Sequence, residues 1–181
     1  RSVVRKGASL APVDIYGYST NGVPGLDIVG MGGEGKIIKE KFIFLTRSEK
    51  LRVPLKRFVI GVEFNNLSKK CAENSLDILE VPMLILYWAL AGYLQIRNLE
   101  NCWSTGKVTV DFQFNCPLLG DLENYFMSIS QERQDACLIL PEERRAEVDL
   151  RSISLEGLFE QAKLLRSENQ DSEGILMMAK L

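Results

Sequence analysis

"DIVGMGGEGKII" (residues 27–38) is the stretch that decides the fold, because a short apolar strand runs into a glycine turn and then a helix. Gly30-x-Gly32-x-x-Gly35 has the spacing of a dinucleotide-binding turn, and Gly30 to Lys36 resembles most of a phosphate-binding P-loop. A P-loop needs Ser or Thr after its lysine to ligate magnesium, and here that residue is Ile37. We therefore interpret the glycines as a tight turn that needs positive φ. A nucleotide site through Gly30–Lys36 is an alternative.

Periodic apolar residues on both sides of this turn predict further strands and helices. Ser75 or Asp77 is a candidate cap for the second helix, and Pro82 fits its first turn. Strands and helices alternate without internal repeats, which indicates an α/β or α+β fold. We predict strands at 9–19, 26–30, 57–64 and 136–140, a strand pair or strand and turn within 103–114, and helices at 34–46, 80–94, 118–129 and 154–165, with a short helix after Pro141.

Length and composition are those of one ordinary globular domain. The chain has 181 residues, of which 46% are hydrophobic and 25% charged. Residues 1–165 carry the predicted elements. From Arg166 the sequence becomes polar, so we interpret 166–181 as a linker or boundary helix.

Charge is distributed unevenly along the chain. The net charge is only −2, yet residues 1–70 hold 13 Lys and Arg against 6 Asp and Glu. Such an asymmetry marks a candidate face for an anionic partner. The alternative is that both halves fold together and the charges intermix on the surface.

The residue types present exclude several kinds of chemistry. The chain has no histidine, so Ser-His-Asp and Cys-His nucleophile systems are impossible, whereas a Ser–Lys dyad stays open. The four cysteines form no C-x-x-C pair, which predicts no metal site and a reduced, cytoplasmic protein. The apolar run at 81–94 is too short to span a bilayer, so we predict a buried helix and no membrane partner. We expect no cofactor.

Several segments in one order resemble the N-terminal domain of ComM-type, Mg-chelatase-like AAA+ proteins. The family's "GLPGxxIVGLPD" stretch is matched by "NGVPGLDIVGMGGEGKIIKE", and its "PxxRIxVNLAPADL" by "PLKRFVIGVEFNNL". The "DLPIALxxLxAxGxL" helix resembles "EVPMLILYWALAGYL". Later, "GKVTVDF", "LPEERRAEV" and "SLEGLFEQAKLL" resemble the family's "GELxLxG", "LPxxNAxEA" and "SLxEVxxxL". The resemblance covers residues 3 to 165.

The chain also departs from the family pattern at particular positions. "MGG" stands in place of "LPD", Lys107 in place of the Glu of "GEL", and Arg144 in place of a family Asn. Extra residues lie before Pro82, so either Asp77 or Glu80 is a candidate for the family's acidic position. These changes indicate a strongly diverged copy.

The resemblance implies a ribosomal S5 domain 2-like fold, similar to the proteolytic domain of Lon. Lon-type proteases use a Ser–Lys dyad, with the serine at the start of the helix equivalent to 80–94. Here that start offers Asp77 and Glu80, and "CPLLGDLENYFMSIS", where the lysine is expected, contains none. The resemblance therefore implies a pseudoenzyme domain without catalytic residues. An active Ser–Lys peptidase is the alternative.

By resemblance, the function is an accessory, interaction role in DNA processing or competence. The family's P-loop lies in an AAA+ module beyond this domain, so we expect the partners to be an AAA+ module or ring, a second copy of the chain, or DNA. DNA contacts are expected from the basic residues dense along the first helix and its exit, or else these form an ordinary solvated face: Lys36, Lys39, Lys41, Arg47, Lys50, Arg52, Lys56 and Arg57.

Overall fold

A computed structural model of the chain describes residues 1–64, 76–130 and 135–165. Strands and helices are mixed, as the sequence predicts. The predicted loop at 65–75 and the predicted linker at 166–181 lie outside the described residues, as do Ser75 and Cys71.

The larger sheet has four strands in the order β1-β2-β4-β3. β1 pairs with β2 and β2 with β4 in antiparallel fashion, whereas β3 and β4 run parallel. A parallel pair needs a crossover connection, and the helix after the glycine turn supplies it. The strands are β1 (Ser2–Lys6), β2 (Ser9–Thr20), β3 (Gly25–Val29) and β4 (Arg57–Glu63).

Two helices lie against this sheet. The first, α1 (Gly33–Ser48), contacts β3 through a buried stripe that contains Ile38, Phe42 and Leu45 at helical spacing. The second, α2 (Glu80–Leu90), contacts β2 and β4. It is buried on almost every side, which is typical of an apolar central helix.

The predicted helix at 80–94 is correct in type but too long. Gly92 has φ +88°, its N–H bonds to the Ala89 carbonyl, and the Tyr93 N–H bonds to the Trp88 carbonyl. This is a Schellman ending, in which glycine in the left-handed conformation closes the helix. The Ala-Gly pair was therefore a stop signal inside the apolar run.

The described residues of the second half form a hairpin, a small parallel sheet and three α-helices. The hairpin pairs β6 (Lys107–Val108) with β7 (Phe114–Asn115), and the small sheet has the order β5-β8-β9. The remaining strands and helices are β5 (Cys102–Trp103), β8 (Cys137–Leu140), β9 (Ser152–Ser154), α3 (Leu119–Ser130), α4 (Glu142–Arg145) and the helical residues 155–165, labelled α5.

Buried apolar residues form two clusters. The main cluster lies around α1, α2 and the larger sheet. The second cluster lies where α3 contacts β8 and consists of Val3, Trp103, Leu122, Phe126, Ala136, Leu138 and Leu140. Within the described residues, no helix combines the length and the apolar character needed to cross a membrane.

Candidate functional site

The structure explains why two positions of the glycine turn, 30 and 35, are occupied by glycine. Gly30 has φ +91°, and a Cβ there would lie 2.5 Å from the Val62 carbonyl oxygen of β4. Gly35 is buried in the first turn of α1, where a Cβ would lie 3.1 Å from the Ile28 carbonyl. Both positions therefore need glycine because backbone passes close by. This geometry favours the tight-turn interpretation.

The residues that would face a nucleotide lie at the N-terminus of α1. Lys36 is exposed, and Ile37, at the place of the P-loop hydroxyl, is 68% exposed. Gly32 caps the helix without a side-chain hydrogen bond. An exposed isoleucine cannot ligate magnesium, so the turn lacks the second part of a P-loop site.

Lys41 is the one predicted DNA contact whose ammonium group is used inside the protein. Its Nζ lies 2.7 and 2.8 Å from the two carboxylate oxygens of Glu80 and 3.2 Å from the Val108 carbonyl. The side chains of Lys41 and Glu80 are only 15% and 3% exposed. The structure therefore places the Lys41 ammonium in an internal ion pair and not on an exposed face of α1. On the helical wheel, Lys41 is adjacent to the buried Phe42 and Leu45, which is the signal that could have identified it.

Lys39 and Arg57 both lie beside the carboxylate of Asp27. Asp27 Oδ2 accepts a hydrogen bond from Arg57 Nε at 2.8 Å and lies 2.8 Å from a terminal guanidinium nitrogen of Arg57. Asp27 Oδ1 lies 3.5 Å from Lys39 Nζ. Its hydrogen bond from Arg57 is the main reason that the pKa of Asp27 is lowered. Lys39 is half-buried and Arg57 is exposed, and Asp27 partly neutralises both.

Four further predicted contacts lie at the exit of α1. Arg47, Lys50, Arg52 and Lys56 are exposed. Lys50 has φ +55°, and its N–H bonds to the Arg47 carbonyl, so a lysine occupies the left-handed helix-end position that glycine prefers. These four residues, the exposed Lys36 and Arg57, and the half-buried Lys39 form a set that we call the basic surface.

The start of α2 carries two lysine–carboxylate pairs. Besides the Lys41–Glu80 pair, Lys107 Nζ lies 2.8 Å from Asp77, and this hydrogen bond raises the pKa of Lys107. Glu80 also accepts the Val108 N–H at 3.1 Å. The N-cap position of α2 is Leu79, whereas the predicted cap residue Asp77 lies two residues earlier, in the 3₁₀ turn Leu76–Leu79. A lysine held as the cation of an ion pair is not available as a base for serine.

Three cysteines are described, and all are free thiols. Cys102 and Cys137 are partners in the parallel register of β5 and β8, and the neighbouring Cys102 thiol lowers the pKa of Cys137. Among the described residues, no group of three or more Cys, Asp or Glu side chains is placed to hold a metal ion.

A residue that sequence reasoning missed lies beside the basic surface. Tyr87 lines a groove between α1 and β3, together with Arg47 and Lys56. It falls in the apolar run of α2, where nothing in the sequence distinguishes it from a core residue.

Comparison with protein-family models and with curated proteins finds no match. No protein-family model matches the sequence. No curated protein matches it at a significant level.

Proposed function

We propose that this chain is a non-catalytic interaction domain of the ComM type, with an S5 domain 2-like, Lon-like fold, which contacts DNA through its basic surface. In this proposal it serves an ATP-driven DNA-processing partner, and does not itself hydrolyse ATP or peptides. The observation that carries the DNA contact is the cluster of exposed cations at the exit of α1.

The order of the elements supports the family assignment. The Pro24-Gly25 turn joins β2 to β3, Gly30 ends β3 next to β4, and Arg57 begins β4. Further on, Pro82 lies in the first turn of α2, and Pro141 follows β8. Each motif residue thus lies at a boundary where its backbone properties are useful.

The family's acidic position before Pro82 is best filled by Glu80. Glu80 is the first residue of α2, is buried, and bonds both Lys41 and the Val108 N–H. Asp77 lies in the 3₁₀ turn Leu76–Leu79 and is more exposed, at 27%. A buried carboxylate that organises neighbouring elements suits a structural role for this position.

The backbone of Lys50 supports a functional use of the basic surface. A non-glycine residue in the left-handed conformation costs on the order of 1 kcal/mol. Glycine at this position would be more stable, but would not present a cation at the helix exit. Lysine here therefore places a charge at the helix exit at some cost in stability.

Exposed apolar residues on α1 support a protein partner as well. Ile37 and Phe44 are 68% and 53% exposed and are separated by two helical turns, so they lie on one side of α1. Such a pair suits contact with an AAA+ module or a second copy of the chain.

The DNA contact is tested by fluorescence anisotropy with a labelled duplex of about 20 base pairs between about 50 and 200 mM NaCl. The test variant is Lys36→Gln/Lys50→Gly. We expect weaker binding and a salt dependence flatter by about two in log–log slope, because two phosphate contacts are lost. Glycine at position 50 relieves the left-handed strain, so loss of binding is not caused by unfolding.

The matched control is Lys6→Gln/Arg97→Gln, which removes two exposed cations from outside the basic surface. It should bind DNA as the unchanged chain does. Equal loss of affinity in both variants, or no salt-dependent binding by the unchanged chain, rejects the proposed surface.

A further inference from the structure

A groove of about 290 Å³ lies between β3, the C-terminal half of α1 and the segment at 51–56. This volume is near the lower end for sites that bind small molecules. Its walls are apolar and include Leu26, Ile43, Leu51, Val53 and Phe58. The groove therefore suits the apolar body of a small ligand.

Two cations lie at this groove and have no counterion in it. Arg47 and Lys56 both line it, and no Asp or Glu does. Neither forms an ion pair with any residue that the structure describes. A ligand that enters the groove with its apolar part is thus met by two positive charges and by no carboxylate.

Tyr87, which carries a hydroxyl group, also lines the groove. The residue is 4% exposed, and within the described part of the chain its hydroxyl forms no hydrogen bond. Its neighbours differ: Trp88 Nε1 donates to Thr46 Oγ1 at 3.0 Å, and Tyr93 donates to the Arg52 carbonyl at 2.6 Å. The hydroxyl oxygen is not among the fully buried side-chain atoms that lack a partner, so its donor is open to a ligand in the groove.

The electrostatics of Tyr87 are consistent with a donor at neutral pH. Burial raises the pKa of Tyr87, which keeps its hydroxyl protonated, while the nearby positive charge of Arg47 acts in the opposite direction. Arg47 and Tyr87 both line the groove.

We propose that this groove is a binding site for a small carboxylate with an apolar body. The apolar part lies against Leu26, Ile43 and Phe58, and the carboxylate accepts from Arg47, Lys56 and the Tyr87 hydroxyl. An uncharged apolar ligand would form no ion pair with Arg47 or Lys56. A small anion without an apolar group would make no contact with the apolar walls of the groove. Both parts of the ligand are required.

The test is a titration of the ¹⁵N-labelled chain, followed by amide chemical shifts, with 4-phenylbutanoate. 4-Phenylbutan-1-ol is the control ligand without the charge, and acetate is the control ligand without the apolar body. We expect 4-phenylbutanoate to bind with a Kd of about 1 mM, given its size, and to shift amides at 46–56 and at Tyr87. The alcohol and acetate should bind at least about fivefold more weakly.

Three variants test the assigned groups. Arg47→Met, Lys56→Met and Tyr87→Phe should each weaken 4-phenylbutanoate binding by about threefold to tenfold, whereas Lys6→Met should have no effect. Thermal melting checks that each variant is folded. Equal binding of the alcohol, shifts confined to other regions, or unchanged affinity in all three variants overturns the site.

This proposal does not rest on the proposed function. Arg47 and Lys56 also belong to the basic surface, but the titration contains no DNA, and the DNA test changes neither residue. Each proposal can therefore fail without the other.

Discussion

Burial gives two neighbouring lysine–carboxylate pairs very different roles. The Lys41–Glu80 pair joins α1 to the start of α2 with side chains 15% and 3% exposed, whereas the Lys107–Asp77 pair is 45% and 27% exposed. A buried charge that loses its partner is costly, because nothing replaces the water it gave up. An exposed pair is screened by solvent and contributes little.

Lys41→Met should therefore lower the free energy of unfolding by about 3–5 kcal/mol, because it leaves the Glu80 carboxylate buried and unpaired. Lys107→Met is the matched control and should cost about 0–1 kcal/mol. Urea unfolding followed by circular dichroism measures both. The double variant Lys41→Met/Glu80→Gln should cost less than the sum of its single changes, since the amide keeps the Val108 bond without a charge. A Lys41→Met variant as stable as Lys107→Met contradicts this role.

Two glycines in the connection from β3 to α1 differ in the space that a side chain would have. Position 30 leaves no room for a Cβ, whereas position 33 leaves room for one. Gly30 has positive φ and lies against the Val62 carbonyl of β4. Gly33, three residues later, begins α1 and has no neighbouring atom within 4 Å of where a Cβ would be. The turn therefore depends on a specific close approach, not on the number of glycines.

A pair of alanine substitutions separates these two roles. Gly30→Ala should destabilise the fold by about 2–4 kcal/mol, because it combines left-handed strain with a clash against backbone. Gly33→Ala should be neutral or stabilise by up to about 1 kcal/mol, because alanine favours the helix. Thermal unfolding of both variants measures the difference. Similar stabilities would mean that the turn adapts to a side chain at position 30.

At the scale of the whole molecule, the two apolar clusters share strands. Successive residues of a strand point to opposite faces, so one strand can supply both clusters. Such shared strands should make the clusters unfold together. In three strands, one residue lies in the main cluster and its neighbour in the second cluster. These pairs, with the residue of the main cluster named first, are Val4 and Val3 of β1, Cys102 and Trp103 of β5, and Ile139 and Leu138 of β8.

The two tryptophans allow this cooperativity to be measured. Trp88 lies in the main cluster and Trp103 in the second. In each single-tryptophan variant, Trp88→Phe or Trp103→Phe, the urea midpoint from the remaining tryptophan's fluorescence should coincide with the midpoint from far-UV circular dichroism. A Trp103 signal that changes at lower urea than the dichroism would show that the second cluster unfolds separately.

Elements with a strong local pattern were predictable, and those defined by their partners were not. The periodic helix at 34–46 and the β-branched strand at 57–64 are confirmed within a few residues as α1 and β4. β1, β5 and β9 were missed because short strands carry little pattern of their own and exist through pairing. The basic surface was predicted because its cations are close in sequence.

The sequence by itself determined the mixed α/β class, the glycine turn, the buried central helix and the density of cations around the first helix. These depend on residues that are near one another in the chain, where backbone preference and periodicity act. Only the tertiary structure decided that Lys41 bonds Glu80 and that the Tyr87 hydroxyl reaches a groove beside Arg47. Those outcomes depend on which distant residues pack together, because desolvation and hydrogen bonding are set by the surroundings of a side chain and not by its neighbours in sequence.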